Sequence, residues 1–176
     1  LGTVPILLQP QITTYVFNGT TSSLYTNGIE DWIRTAQDST TMSTNPNQFT
    51  VGALRRSTVS DYFDGNMHEL IVLNKAITET ERLYLEAHLA KKWNIPNVFH
   101  PETQNILPSD FDGLVRWYDG LDESSFYDAT SGGNVVTGVS DIARWEDKSG
   151  NAGHATQSDS AKRPNRYIEP ITGRRN

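Results

Sequence analysis

Hydrophobic residues in this chain change their period at Thr78. Ahead of that point, residues 12–17, 23–25, 49–54 and 67–73 are short runs rich in β-branched, aromatic and aliphatic side chains, and they predict strands. Asn18-Gly19, Asn27-Gly28 and Asp64-Gly65 fall between the runs. These dipeptides favour the positive φ of tight hairpin turns. Residues 35–48 are rich in Thr, Ser, Asn and Gln and predict a long surface loop. The run 67–73 is apolar on both faces, which predicts a central strand covered on both sides. Past Thr78, Leu85, Leu89 and Trp93 recur every four residues, with Leu83, Ala87 and Ala90 beside them. That is one stripe of a helix over 79–93. Thr78 with Glu81 three residues on forms a capping box. Lys91 and Lys92 suit the negative end of the helix dipole, and Pro96 stops the helix.

The pattern then returns to short strands. Pro96, Pro101 and Pro108 punctuate a polar stretch, so 96–107 predicts a linker. Residues 114–118, 135–136 and 142–145 predict strands, 147–153 a glycine-bearing loop, and 162–167 an extended edge. Two regions follow, 1–95 and 108–176, joined by the linker.

Bulk composition narrows the function classes. The formal net charge of −6 gives a surface that repels phosphate backbones, so nucleic acid is not an expected partner. Arg163, Arg166, Arg174 and Arg175 form the one basic cluster, expected as a solvated tail. The chain has no cysteine, which excludes zinc–thiolate sites, thiol nucleophiles and disulfides. No apolar run approaches the length of a membrane-spanning helix, so membrane insertion is not expected. The chain runs from Leu1 to Arg174-Arg175-Asn176 with no closing element, and the expectation is a piece of a longer protein.

Few residues suggest chemistry. Asp147, Ser149 and Asn151 place oxygen-bearing side chains at alternating positions in a glycine-containing loop, a pattern that suits a hard cation such as calcium. Ala152 stands where an EF-hand loop needs glycine, and the same residues equally suit an Asx-type turn. His68, His88, His100 and His154 are scattered without metal-like pairing, and the spacing offers no Ser–His–Asp set. Trp93, Trp117 and Trp145 are expected in the core. Trp32, just past the Asn27-Gly28 turn, is the candidate ligand-binding aromatic. Asn18-Gly19-Thr20 is a glycosylation sequon, meaningful only in a eukaryotic secreted protein.

Two stretches carry a resemblance. Tyr62-Phe63-Asp64-Gly65-Asn66-Met67-His68-Glu69-Leu70-Ile71-Val72-Leu73, with the helix ending Ala90-Lys91-Lys92-Trp93, resembles the C-terminal end of laminin-G-like domains of the concanavalin A-like superfamily. Asp112-Gly113-Leu114-Val115-Arg116-Trp117-Tyr118-Asp119, with Trp145-Glu146-Asp147-Lys148-Ser149-Gly150-Asn151, resembles the N-terminal end of the same domain type. The resemblance implies an all-β, antiparallel jelly-roll sandwich. The family's end comes first and its beginning last. That order is expected of a window across two tandem modules, or of two halves that complement each other. Half-sandwiches leave edges that must be paired or covered, in cis or by other modules and subunits.

The resemblance further implies calcium in many relatives, with Asp64 and Asp119 as possible extra ligands if the fold brings them near, and glycoside hydrolysis in some. Glycosidases on this fold need several carboxylates along one strand, and the matching strand carries only Glu69. A structural hydrogen bond is the expected role for Glu69. The expectation is therefore a non-catalytic structural or adhesion module of a larger extracellular or virion surface protein, such as a phage tail fibre or capsid-associated protein. The alternative is a lectin-like domain that binds surface glycans, with calcium as a cofactor.

Overall fold

The computed structural model describes residues 10–35, 50–55, 59–96 and 106–166. Ten strands and one α-helix lie among them: β1 (Thr13–Phe17), β2 (Thr21–Thr26), β3 (Ile29–Thr35), β4 (Ala53–Arg55), β5 (Val59–Tyr62), β6 (Glu69–Leu73), α1 (Glu79–Trp93), β7 (Leu114–Asp119), β8 (Phe126–Tyr127), β9 (Arg144–Trp145) and β10 (Ala155–Thr156). The described residues are mostly β. Antiparallel ladders join β1-β2-β3, β4-β5 and β8-β9-β10, and β6 pairs with β7. The chain divides into two compact units. The first comprises Leu1–Pro46 and Leu73–Leu114, and the second Asn47–Val72 and Val115–Asn176.

In the first unit, β1 and β2 are joined across Gly19-Thr20, and β2 and β3 across Asn27-Gly28. Asn27 and Gly28 both have positive φ, at 50° and 84°. That is the type I′ signature, whose twist matches the flanking strands. Asn27 also ties the hairpin to the chain before β1: its N–H donates to the Ile12 carbonyl at 2.9 Å, and its Oδ1 accepts from Ile12 N–H at 2.8 Å. Ile12 is buried with Ala90 and Ile95, and Leu89 and Trp93 pack on them.

Helix α1 has the expected limits. Thr78 Oγ1 accepts from Glu81 N–H at 3.2 Å, and Glu81 Oε2 accepts from Thr78 N–H at 2.8 Å. Together these bonds satisfy helix-end donors that would otherwise be orphaned. The helix stops at Asn94 in the left-handed conformation, whose N–H donates to the Ala90 carbonyl, so the chain has left the helix before Pro96. The buried face differs from the expected stripe. It holds Arg82, Leu85, Glu86 and Ala90, while Leu83 and Ala87 are half-buried. Arg82 and Glu86 stand one turn apart with Nη1 and Oε2 at 2.8 Å, so burial of one charge is offset by the other. The Arg82 guanidinium also lies 3.9 Å from the centroid of the Tyr25 ring.

The second unit includes three two-residue strands, β8, β9 and β10, and a small aromatic core. Phe126, Val136 and Ile142 are buried with Trp145 against them. Tyr118 and Phe126 flank Trp145, with ring centroids at 5.5 and 5.4 Å. Three expectations change here. Strand β6 is half-buried throughout and, among the described residues, pairs only with β7, so it is not a central strand covered on both faces. Of the extended edge expected over 162–167, Arg163 is extended, Asn165 makes an antiparallel bridge to Asp141, and the Pro164 and Ser140 carbonyls accept from Ile142 and Arg166 N–H, both at 2.8 Å; Lys162 instead ends a 3-10 turn, Ser160–Lys162, in which Asp159 caps the Ala161 N–H. Val135 contributes one isolated bridge, to Tyr127, in place of a strand. Arg163 and Arg166 are not a solvated tail. Arg163 donates to the carbonyls of Gln157 and Asp128, and Arg166 to the carbonyl of Val136 while pairing with Glu123. Each guanidinium thus donates to backbone carbonyls outside the ladders. Arg174, Arg175 and His100, and nearly all of the expected loop 35–48, lie outside the described residues.

Candidate functional site

Among the described residues, the most highly connected polar cluster joins β7 to the loop after β9. Alternation along β7 makes Trp117 the organiser. Its indole Nε1–H donates to Glu69 Oε1 at 2.8 Å, linking β7 to β6. Its backbone N–H donates to Asp147 Oδ1 at 2.9 Å, and its carbonyl accepts from Lys148 N–H at 2.7 Å. At the far end of β6, Gly120 N–H donates to the His68 carbonyl at 2.8 Å. A Cβ on Gly120 would fall inside that carbonyl, so the close approach requires glycine.

Asp147 is the centre of the loop. Its side chain is fully buried. Oδ1 accepts from the N–H groups of Trp117 and Ser149, both at 2.9 Å, and Oδ2 accepts from Gly153 N–H at 3.0 Å and the Ser149 hydroxyl at 2.8 Å. Arg116 adds positive charge, with Nη1 3.7 Å from Oδ2. Burial pushes the Asp147 carboxyl up, but the hydrogen bonds from Trp117, Ser149 and Gly153 outweigh it and hold the group below the ordinary aspartate range. The Asp147 N–H in turn donates to His154 Nδ1 at 3.1 Å. Tyr118 closes the loop by donating its phenol to the Gly153 carbonyl. Burial, followed by the nearby Asp147 charge, raises the Tyr118 phenol and keeps it protonated.

Asp147, Ser149 and Asn151 are thus brought together. Ser149 N–H to Asp147 Oδ1 is an Asx turn. Ser149 Oγ lies 2.9 Å from the Val115 carbonyl, and Asn151 Nδ2 donates to the same carbonyl at 3.2 Å and to Ser149 Oγ at 3.1 Å. What surrounds the Asp147 carboxylate is a set of N–H and O–H donors. Asp119, the one acidic residue of β7, holds a cation of the chain's own. Lys148 Nζ lies 3.0 Å from both Asp119 Oδ2 and Asp122 Oδ2, and 4.8 Å from the centroid of the Trp117 ring. Burial lowers the Lys148 ammonium, but bonds to Asp122 and Asp119 carry it above the usual lysine range. Among the described residues, no group of three or more His, Asp or Glu side chains could hold a metal ion. Trp32 belongs to the first unit. It is half-buried on β3, opposite Leu24, rather than in a loop.

Sequence reasoning did not find the Lys148 clamp, the Arg116 contact or the buried Arg82–Glu86 pair. Only the last had a signal, the i, i+4 spacing of opposite charges on one helix face. No protein-family model, curated protein or solved structure matches the chain. No described helix is long and apolar enough to cross a membrane.

Proposed function

We propose that this chain is a non-catalytic structural or adhesion module of the laminin-G-like, concanavalin A-like type, part of a larger extracellular or virion surface protein. On this reading its strands complete a jelly-roll sandwich, and its partners are other modules or subunits of the same assembly. One observation carries the reading: the charged groups of the best-built site point inward at the chain itself. Asp147 receives four hydrogen bonds from Trp117, Ser149 and Gly153. Lys148 is bound to two aspartates, and Glu69 to an indole N–H. A catalytic acid or base needs a position from which it reaches a substrate proton. Groups used this way brace loops, as a load-carrying module requires.

The test has three arms. A glycan array probed with and without EDTA is expected to be blank in both conditions. Incubation with β-glucans is expected to release no sugar, with Glu69→Gln as the matched control. Light scattering of the chain mixed with flanking modules of its parent is expected to report association. Calcium-dependent glycan binding would favour the lectin reading instead. Hydrolysis abolished by Glu69→Gln would overturn the non-catalytic one.

A further inference from the structure

The two Asn-Gly steps of the first unit have the same chemistry and opposite surroundings. Deamidation at such a step begins when the glycine nitrogen, after losing its proton to solvent base, attacks the asparagine Cγ. The N–Cγ bond forms, the Cγ–Nδ2 bond breaks, and ammonia leaves. Water then opens the succinimide at either carbonyl, giving aspartate or isoaspartate. Water is the only co-reactant. The backbone must swing out of its turn for the attack, so the local opening cost sets the rate in the folded state.

At Asn27 that cost is high. Its N–H and its Oδ1 are both tied to Ile12, at 2.9 and 2.8 Å, and Ile12 is only 6% exposed within the core cluster. Opening this turn breaks both bonds and disturbs the packing against α1. Asn18 has no such anchor. Its Oδ1 accepts from Thr20 N–H at 3.1 Å, the Thr20 hydroxyl at 3.1 Å and Thr21 N–H at 2.8 Å, and its own N–H donates to the Thr21 carbonyl at 3.1 Å. Every one of these bonds lies inside the β1–β2 turn. Asn18 and Thr20 are exposed, and a Cβ on Gly19 would meet nothing within 4 Å. The three donors on Oδ1 also draw electron density from Cγ, the atom to be attacked.

We propose that Asn18 is a self-modification site of the folded chain, gaining a carboxylate by deamidation while Asn27 is protected. The aspartate product keeps the hairpin, because its Oδ1 accepts the same bonds from Thr20 and Thr21. The isoaspartate product inserts a methylene into the backbone and weakens the Phe17–Ser22 pairing beside the turn. The surface acquires one negative charge per molecule as the protein ages.

The test is to incubate the intact chain at mildly alkaline pH, natively and in guanidinium. The tryptic peptide ending at Arg34 contains both asparagines, and electron-transfer fragmentation separates them. Isoaspartyl methyltransferase labelling reports the isomer. Natively, Asn18 is expected to convert at least about tenfold faster than Asn27. In guanidinium the two rates are expected to converge, which assigns the difference to the fold. Equal native rates, faster conversion at Asn27, or no native conversion at Asn18 while the denatured chain converts would each overturn the proposal. Asn18→Asp is expected to retain the native circular dichroism spectrum, and its loss would overturn the claim that the product keeps the turn.

Discussion

The two units of this chain solve one problem, satisfying buried backbone, by different means. In the first, β1, β2 and β3 run five, six and seven residues, and ladder bonds do most of the work. In the second, β8, β9 and β10 have two residues each. Side chains take over there: Asp147 collects amides, while Arg144, Arg163 and Arg166 serve carbonyls of Ala129, Gly132, Gln157 and Val136. A ladder tolerates most single side-chain changes, because its bonds are made by backbone. A brace built on one carboxylate fails when that carboxylate is removed.

Each substitution below probes that contrast, beginning with the largest effect. Glu86→Ala strands the buried Arg82 charge and is expected to cost about 3–5 kcal/mol in urea unfolding. Replacing the pair together, as Arg82→Met with Glu86→Leu, is expected to cost far less, since neither charge is then left alone. Asp147→Ala is expected to cost about 3 kcal/mol, because it orphans the amides of Trp117, Ser149 and Gly153 at once. Hydrogen exchange is expected to quicken at those three amides and stay unchanged along β2. Loss of protection along β2 as well would break the comparison, making the two units one cooperative structure. Gly120→Ala is expected to cost about 1–3 kcal/mol, since the new methyl meets a backbone carbonyl that cannot turn aside as a side chain would. Thr78→Ala removes one half of the capping box and is expected to cost about 1 kcal/mol, seen as fraying of α1 by circular dichroism.

Acid sharpens the same contrast. A carboxyl held below its unfolded value stabilises the fold above that unfolded value, and the contribution is lost as pH falls through the folded one. Asp147 therefore releases its loop only when pH drops below the ordinary aspartate range. Glu81, brought down to about 2 by its bonds to Lys75 and Thr78, behaves likewise at the start of α1. Amide exchange against pH is expected to show the Asp147 loop opening only below the ordinary aspartate range, and the start of α1 only near the Glu81 value of about 2. Lys148 has the opposite sign. Its contribution is present below the unfolded lysine value and is lost as pH rises through the higher folded one.

The division between ladder and brace also explains what the sequence made legible. The limits of helix α1 were readable because the Thr78–Glu81 capping box and the terminal charges are local signals, whereas its buried face, which includes Arg82 and Glu86, was not. The Asn27-Gly28 hairpin turn was readable for the same reason. Strand β3 was missed, since Glu30, Asp31 and Arg34 interrupt its apolar pattern and a bulge between Leu24 and Tyr25 shifts its register. Trp32 was consequently expected near a loop. Strand β5 was missed because Ser60 and Asp61 look like loop residues. The loop residues Asp147, Ser149 and Asn151 were found as a group, and both an Asx turn and a cation site fitted their spacing. Only geometry supplies the donors that converge on Asp147, because Trp117 lies thirty residues away in sequence.

Asp147 braces the loop through the hydrogen bonds it accepts from Trp117, Ser149 and Gly153. The most direct test of this brace is hydrogen exchange at the Trp117, Ser149 and Gly153 amides, measured with millimolar calcium and again with EDTA. The same protection is expected in both. Protection that rises with calcium, and that Asp147→Asn abolishes, would contradict it.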